Sequence, residues 1–298
     1  MKMSTVTVIG ANGMLGFAVS EYFASRGYNV QKITRADFDI TKDPMPALEQ
    51  MLVDADVVVN CAGIIHSQVE KNTIESILAV NSVFPKNLAL FCKKMNIKCF
   101  HITTSCVYTG NEGSYSEDDA FDAPDIYGMT KNAGEPMNCM TLRTSIIGEE
   151  RGQSRSLMEW ARNQQGKDVI GLVNHFWNGV TTVHLAEIIE KILDQDLYLE
   201  GIYHLHSPNT ISRKDLFEIL SEVYELHLSV KPVEASQLCD RSLSSKYSYA
   251  KLLCTKTIQL QVYEMKEFFE LAQIPVIQTP FALLVVNKQF LFLRPMSC

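Results

Sequence analysis

Tyr127 and Lys131 stand four residues apart in the segment Tyr-Gly-Met-Thr-Lys. On a helix that spacing puts both side chains on one face, so an ammonium can sit beside a phenol oxygen. A phenol titrates near pH ~10 and is a poor acid or base at neutral pH, and a neighbouring cation lowers that value by stabilising the phenolate. Upstream, Thr103-Thr104-Ser105 ends an apolar run, and the Thr104 hydroxyl is placed to hydrogen-bond a reacting oxygen and share its proton transfer. Such a set suits hydride transfer at a carbonyl or alcohol beside a nicotinamide. Tyr-x-x-x-Lys also arises by accident on helices, so the assignment depends on a cofactor-binding element elsewhere in the chain.

That element is expected at Thr5 to Gly16, TVTVIGANGMLG. Val6, Val8 and Ile9 read as a buried strand, and Gly10, Gly13 and Gly16 fall where a strand-to-helix turn brings backbone close to a ligand. The following helix aims its unpaired N–H groups and positive end at that turn, where a pyrophosphate is the natural occupant. Asn12, Met14 and Leu15 lie within the same turn. A helix over 17–25 stopped by Gly27 leads to a strand over 28–33, whose end carries Thr34-Arg35. In this fold a basic residue there meets the 2′-phosphate of NADP where an acid would bind the ribose of NAD, so Arg35 points toward NADPH over NADH. Asp39-Ile40, a helix over 46–52 and a strand over 55–60 follow, and Cys61-Ala62-Gly63 has the small side chains that a close backbone passage needs. A helix over 73–95, interrupted near Pro85, precedes a strand over 98–103. Strand and helix therefore alternate, and the expected fold class is α/β, a Rossmann-type doubly wound parallel sheet with its ligands at the carboxyl ends of the strands.

The GxxGxxG turn, the strand-end threonine and the YxxxK pair resemble the extended short-chain dehydrogenase/reductase superfamily. TTSCVYTG at 103–110, EGSYSEDD at 112–119, DIYGMTKNAGE at 125–135, LRTSIIG at 142–148 and WNGVTTVHLAEII at 177–189 are more narrowly similar to the dTDP-4-dehydrorhamnose reductase family. The similarity runs from Val6 to about His206 and is looser over 207–270. It implies Thr104 as hydroxyl partner, Tyr127 as proton donor, and Lys131 as the residue that lowers its pKa and holds the nicotinamide ribose. It places Gly10, Asn12, Gly13, Met14, Gly16, Asp39, Ile40, Ala62 and Gly63 at cofactor contacts, with Leu15, Cys61 and Thr103 beside them. The implied activity is NAD(P)H-dependent reduction of the C4 ketone of a nucleotide-linked 4-keto-6-deoxyhexose, for surface polysaccharide. Dehydratases of the superfamily carry Asp-Glu after the catalytic threonine, and here those positions are Ser105 and Cys106. The family also often has an aromatic after its RTS segment, where this chain has Ile146. Two alternatives remain at this point: an epimerase that keeps its NAD, and a non-catalytic regulatory subunit of a partner enzyme.

Beyond Gly148 the alternation stops, and helical patterns over 154–164, 183–193 and 213–224 mix with short extended pieces. The expected organisation is a cofactor domain over 1–150 and a smaller mixed α/β substrate-binding part over 151–273. Strand and helix near 169–206 are allowed to return to the sheet. A nucleotide-sugar diphosphate needs cations and its base needs flat surfaces, which Arg143, Arg151, Trp177 and Arg241 supply. Ser105 and Thr104 would face the sugar, as His175 could. Trp160 is expected in the core, and His204 and His206, alternating on one strand, suggest no metal. An apolar tail over 274–298 is left without a role. With a formal charge of −7 and no basic cluster, the chain has no nucleic-acid footprint. Its eight cysteines lack metal-ligand spacing and suit a reducing cytoplasm. No membrane contact is expected, and a homodimer is the assembly the resemblance allows.

Overall fold

The computed structural model describes residues 4–152 and 156–271, so the expectation for the tail over 274–298 lies outside the described residues. The first half alternates as expected: β1 (Thr5–Ile9), α1 (Met14–Ser25), β2 (Asn29–Ile33), α2 (Met45–Met51), β3 (Val57–Asn60), α3 (Ile74–Leu78), α4 (Phe84–Lys94), β4 (Lys98–Thr104), α5 (Ile126–Ala133) and β5 (Met140–Thr144). The second half comprises β6 (Ile146–Ile147), α6 (Leu157–Arg162), β7 (Asp168–Leu172), β8 (His175–Trp177), β9 (Val180–Thr181), α7 (Thr182–Asp194) and β10 (Gly201–His204). It continues through β11 (Ile211–Ser212), α8 (Arg213–Val223), β12 (Ser229–Val233), β13 (Cys239–Asp240), α9 (Tyr249–Leu253) and α10 (Ile258–Leu271).

Six strands form one sheet in the order β10-β5-β4-β3-β1-β2, all pairs parallel. The chain leaves β1 toward β2 and returns to β1's other side at β3, so a ligand crevice opens at their carboxyl ends. Helices cover both faces, which is why the strands read as near-continuous apolar runs. On one face Leu15, Val19 and Phe23 of α1 and Leu185, Ile188 and Ile192 of α7 pack on Val57, Val59, Phe100 and Leu142. On the other, Leu48 of α2 and Phe84 and Leu88 of α4 pack on Val58 and Cys99. Within the second half, α7, β10 and α9 join the sheet's layers, and α6, β7, β8, α8 and the start of α10 gather around Phe217, Trp177, Met158 and Val262.

Two local differences from the sequence reading, and the interruption it expected near Pro85, have physical causes. α1 begins at Met14, ahead of the expected start, because the N–H of Phe17 already bonds the Gly13 carbonyl. The long helix before β4 is interrupted by a π-helical turn at Ala79–Val83, after which Pro85 occupies the first turn of α4, where its missing N–H costs nothing. Trp160 is 39% exposed instead of lying in the core, its ring resting on Phe217 at 5.0 Å.

The sheet face toward α5 is polar. Arg143, 1% exposed, donates from Nε and Nη2 to the two Glu135 oxygens at 3.1 and 2.5 Å. Its Nη1 donates to the Tyr108 hydroxyl at 3.0 Å and to His204 Nε2 at 2.6 Å. Arginine only donates, so His204 carries its proton on Nδ1 and donates it to the Tyr115 and Ser244 carbonyls. Arg143 was expected to meet substrate, and this is corrected: all of its polar faces are used inside the protein, because an unpaired cation at this depth would be far more costly. Burial, with Arg143 alongside, lowers the His204 pKa to about 4 from an ordinary value of 6.5.

The folded state thus refuses a proton that the unfolded chain takes up below pH 6.5, and stability falls as pH drops from 6.5 toward about 4, by roughly 3 kcal/mol at most from this residue. Urea denaturation of His204→Gln is expected to show lower stability than wild type at pH 7.5 and a shallower loss between pH 6.5 and 4.

Candidate active site

A cleft opens along the carboxyl ends of β1, β3, β4 and β5 and is roofed by residues from α6, β8, α8 and β13. Counting its open mouth it encloses about 1650 Å³.

The glycine turn forms one end. Gly10 has φ +80°, and a Cβ there would come within 2.9 Å of the Ala62 nitrogen. A Cβ on Gly16 would overlap the Gly10 carbonyl. Glycine at both positions therefore lets α1 and the exit of β3 close around the end of β1. Gly13, Met14, Leu15, Cys61, Ala62 and Gly63 line the cleft. Gly10, Asn12, Gly16 and Ile40 do not: Gly10 and Gly16 act through packing, and Ile40 packs against the α2/α4 core. Arg35 stands at the end of β2, its side chain 74% exposed, paired with Asp39 at 3.2 Å. Lys42 approaches the same Asp39 oxygen at 3.5 Å. Thr41 donates to Asp39, and this with Arg35 holds its carboxyl well below the usual range, although partial burial opposes them.

Thr103, Thr104, Ser105, Tyr127 and Lys131 come together at the centre. Asp125 caps α5 by accepting from the Gly128 N–H at 2.9 Å. A Cβ on Gly128 would meet the Cys106 carbonyl at 2.5 Å, so glycine is what allows the first turn of α5 to lie against the turn after β4. That contact brings Tyr127 to Thr104. Thr104 Oγ1 accepts from the Cys106 N–H at 3.1 Å, leaving its own proton for the Tyr127 oxygen. Burial pushes the phenol up to about 12, while the Thr104 hydrogen bond pulls it down. Lys131, 6% exposed, donates to the Ile102 carbonyl at 3.1 Å. Its Nζ lies 3.9 Å from the position of a Cβ on Gly63. Burial lowers its pKa to about 8, against the pull of Glu135 and Cys61. The Lys131 ammonium thus finds an acceptor in the Ile102 carbonyl and lies on the Gly63 side of the cleft.

Of the residues expected to meet substrate, Ser105, Trp177 and Arg241 line the cleft and Arg143 does not. Trp177 donates from Nε1 to Ser145 Oγ at 2.7 Å, which holds its ring in the wall. Arg241 donates from Nε to the Tyr108 carbonyl at 2.9 Å. Arg151 instead lies over the Phe17 ring at 5.7 Å.

Residues 3–273 match the family model for the RmlD substrate binding domain. The chain belongs to that family. It is 33% identical over 221 residues to a dTDP-4-dehydrorhamnose reductase of Mycolicibacterium smegmatis, covering 70% of this chain and 66% of that protein. It is 24% identical to the spore coat polysaccharide biosynthesis protein SpsK of Bacillus subtilis, covering 83% and 88%. Its fold is that of a dTDP-4-dehydrorhamnose reductase of Bacillus anthracis solved in complex with NADP, with a TM-score of 0.75 at 18% identity over 90% of this chain and 99% of that one.

Asn81, in the π-helical turn, is a site residue the sequence reading missed. Its side chain accepts from the Ile64 N–H at 2.8 Å and donates to the Ile64 carbonyl at 3.0 Å, clamping the loop that carries Ala62 and Gly63. Ser82 beside it donates to the Thr130 carbonyl at 2.7 Å, tying the same turn to α5. The available signal was an asparagine inside a helical pattern just before Pro85, a place where its side chain must bond something other than its own helix.

The Lys131 pKa is depressed from 10.5 to about 8. Below pH 8 the folded protein bears the full cost of a buried ammonium, and between 8 and 10.5 stability rises with pH as that proton leaves. Without cofactor, Lys131→Met is expected to be more thermostable than wild type at pH 7, with the advantage shrinking from pH 8 to 10, as read by thermal melts.

Proposed function

We propose that this protein reduces the C4 ketone of a nucleotide-linked 4-keto-6-deoxyhexose with NADPH, as its dTDP-4-dehydrorhamnose reductase relatives are named for doing with dTDP-4-dehydrorhamnose. The observation that carries it is the meeting of Thr104, Tyr127 and Lys131 in one cleft with the glycine turn at Gly10, Gly13 and Gly16. The residues present fit a nicotinamide dinucleotide. The turn leaves no room for side chains where a pyrophosphate would lie, Arg35 offers a cation for a 2′-phosphate, and the Lys131 ammonium faces Gly63, where the ribose would rest.

A nicotinamide bound there would supply the hydride. Tyr127 donates its phenol proton to the ketone oxygen as that oxygen gains charge. Thr104, its oxygen fixed by the Cys106 N–H, donates to the phenol oxygen and makes that proton easier to lose. Lys131 would hold the ribose hydroxyls and contributes positive charge to the site. The apolar wall of Ile64, Ile65, Ile146, Ile147 and Phe176 excludes water and strengthens these interactions. The setting is synthesis of activated deoxysugars for surface polysaccharide in the cytoplasm. Among the described residues no helix is long and apolar enough to cross a membrane.

The test is NADPH oxidation by purified protein with dTDP-4-keto-6-deoxy-L-mannose, with NADH in parallel. Turnover that requires the keto sugar and is faster with NADPH supports the reading, and an absence of keto-sugar-dependent oxidation overturns it. In Tyr127→Phe, kcat is expected to fall by about 10²–10⁴, with NADPH still bound by fluorescence titration. Full turnover in that variant would remove Tyr127 from the mechanism.

A further inference from the structure

His101 of β4 is a buried titratable group with no part in the steps above. It is 1% exposed, and its Nδ1 lies 3.1 Å from the side-chain nitrogen of Asn60, its register partner on β3. Asn60 is itself fully buried, and its Oδ1 accepts from the Ala62 N–H at 3.1 Å. That bond fixes which end of the amide faces which neighbour. Nδ2 therefore donates to His101 Nδ1, and the imidazole carries its proton on Nε2. His101 Nε2 has no hydrogen-bond partner among the described residues. A buried N–H without an acceptor is costly, and an apolar side chain like those of Phe100 and Ile102 on either side would avoid the cost. What the histidine adds is the Nδ1 lone pair. Burial and the nearby charge of Lys131 hold its pKa well below 6.5, so that lone pair stays free of a proton at neutral pH.

The acceptor matters because of what Asn60 holds. At the exit of β3 the Cys61 N–H donates to the Ile9 carbonyl at 2.9 Å and the Ala62 N–H donates to Asn60. The chain thus turns over Gly10, where a Cβ would come within 2.9 Å of the Ala62 nitrogen. Two residues on, Asn81 holds both backbone groups of Ile64. Gly63 lies between these two clamps and, with Ala62, lines the cleft beside Lys131. Without an acceptor at position 101, the Asn60 amide loses the partner of its nitrogen. Turned end for end, it would set that nitrogen against the Ala62 N–H, donor against donor, and the turn would open.

We propose that His101 is a positioning residue for the cofactor, which acts through Asn60 to set the turn at Ala62 and Gly63 that receives the nicotinamide ribose. The inference rests on the reading that this cleft binds a nicotinamide dinucleotide.

The test is fluorescence titration of NADPH together with steady-state reduction of dTDP-4-keto-6-deoxy-L-mannose. His101→Leu is expected to weaken NADPH by about tenfold or more and to raise its KM by a similar factor, with kcat at saturating NADPH within about threefold of wild type. His101→Gln, whose Oε1 can accept from Asn60, is expected to recover NADPH affinity to within about threefold. His101→Asn, whose side chain is too short to reach Asn60, takes the place of the leucine variant if that one does not fold. Wild-type NADPH affinity in the leucine or asparagine variant overturns the proposal. So does a glutamine variant as weak as the leucine one, which would mark a packing role. Nitrogen-15 NMR of the wild-type imidazole is expected to show the proton on Nε2 at neutral pH, and a proton on Nδ1 would also overturn the proposal. Failure of the wild type to bind NADPH or NADH sinks this inference and the cofactor reading together. NADPH binding that depends on His101 without keto-sugar turnover leaves this inference standing and removes the reductase reading.

Discussion

The contact on which the rest depends is the close passage of three backbone segments at Gly10. The end of β1, the first turn of α1 and the exit of β3 converge there with no side chain between them. A methyl group at Gly16 would push α1 away from the end of β1, and one at Gly10 would press on the exit of β3 at Ala62. In the first case the N–H groups at the first turn of α1 would no longer face the crevice beside Gly63. Everything the site does with an anion follows from that geometry, because a net charge of −7 provides no general attraction for a dinucleotide or a nucleotide sugar. Binding energy has to come from oriented backbone dipoles and a few placed cations.

A second constraint lies under α5. Arg143, Glu135, Tyr108 and His204 form a buried polar layer where an apolar one could have packed. Such a pair adds little net stability, but removing one member strands the other. Its consequence here is positional. His204 Nδ1 reaches the carbonyls of Tyr115 and Ser244, Glu117 accepts from the His204 N–H at 2.8 Å, and Tyr115 and Ser242 share a backbone bond. These links hold the segment carrying Arg241 to the end of the sheet that carries Thr104. The arginine that was expected to meet substrate is a strut between the six-stranded sheet and the segment that carries Arg241.

Tyr127 and Lys131 show how one environment acts differently on neighbouring side chains. Burial acts on Tyr127 and Lys131 in opposite directions, raising the phenol to about 12 and lowering the ammonium to about 8, because each is pushed toward its neutral form. Thr104 opposes this at the phenol through a single hydrogen bond, and it can do so because the backbone of Cys106 occupies its acceptor side. The acidity of Tyr127 therefore depends on the turn after β4 as well as on its own helix.

The parallel sheet, the glycine turn and the Thr104, Tyr127 and Lys131 set were legible in the sequence because each rests on local regularities. Apolar runs, glycine at fixed offsets and an i, i+4 pair on one helix are short-range facts about a chain. What only the tertiary structure decided are the properties that depend on residues distant in sequence. Arg143 and Arg241 look alike as strand-end arginines, yet Glu135, Tyr108 and His204 enclose the first while the second reaches the cleft. Asn81 and the ammonium of Lys131 follow the same rule. A polar side chain takes its role from the partners that folding brings within hydrogen-bond distance, and those partners are not its neighbours along the chain.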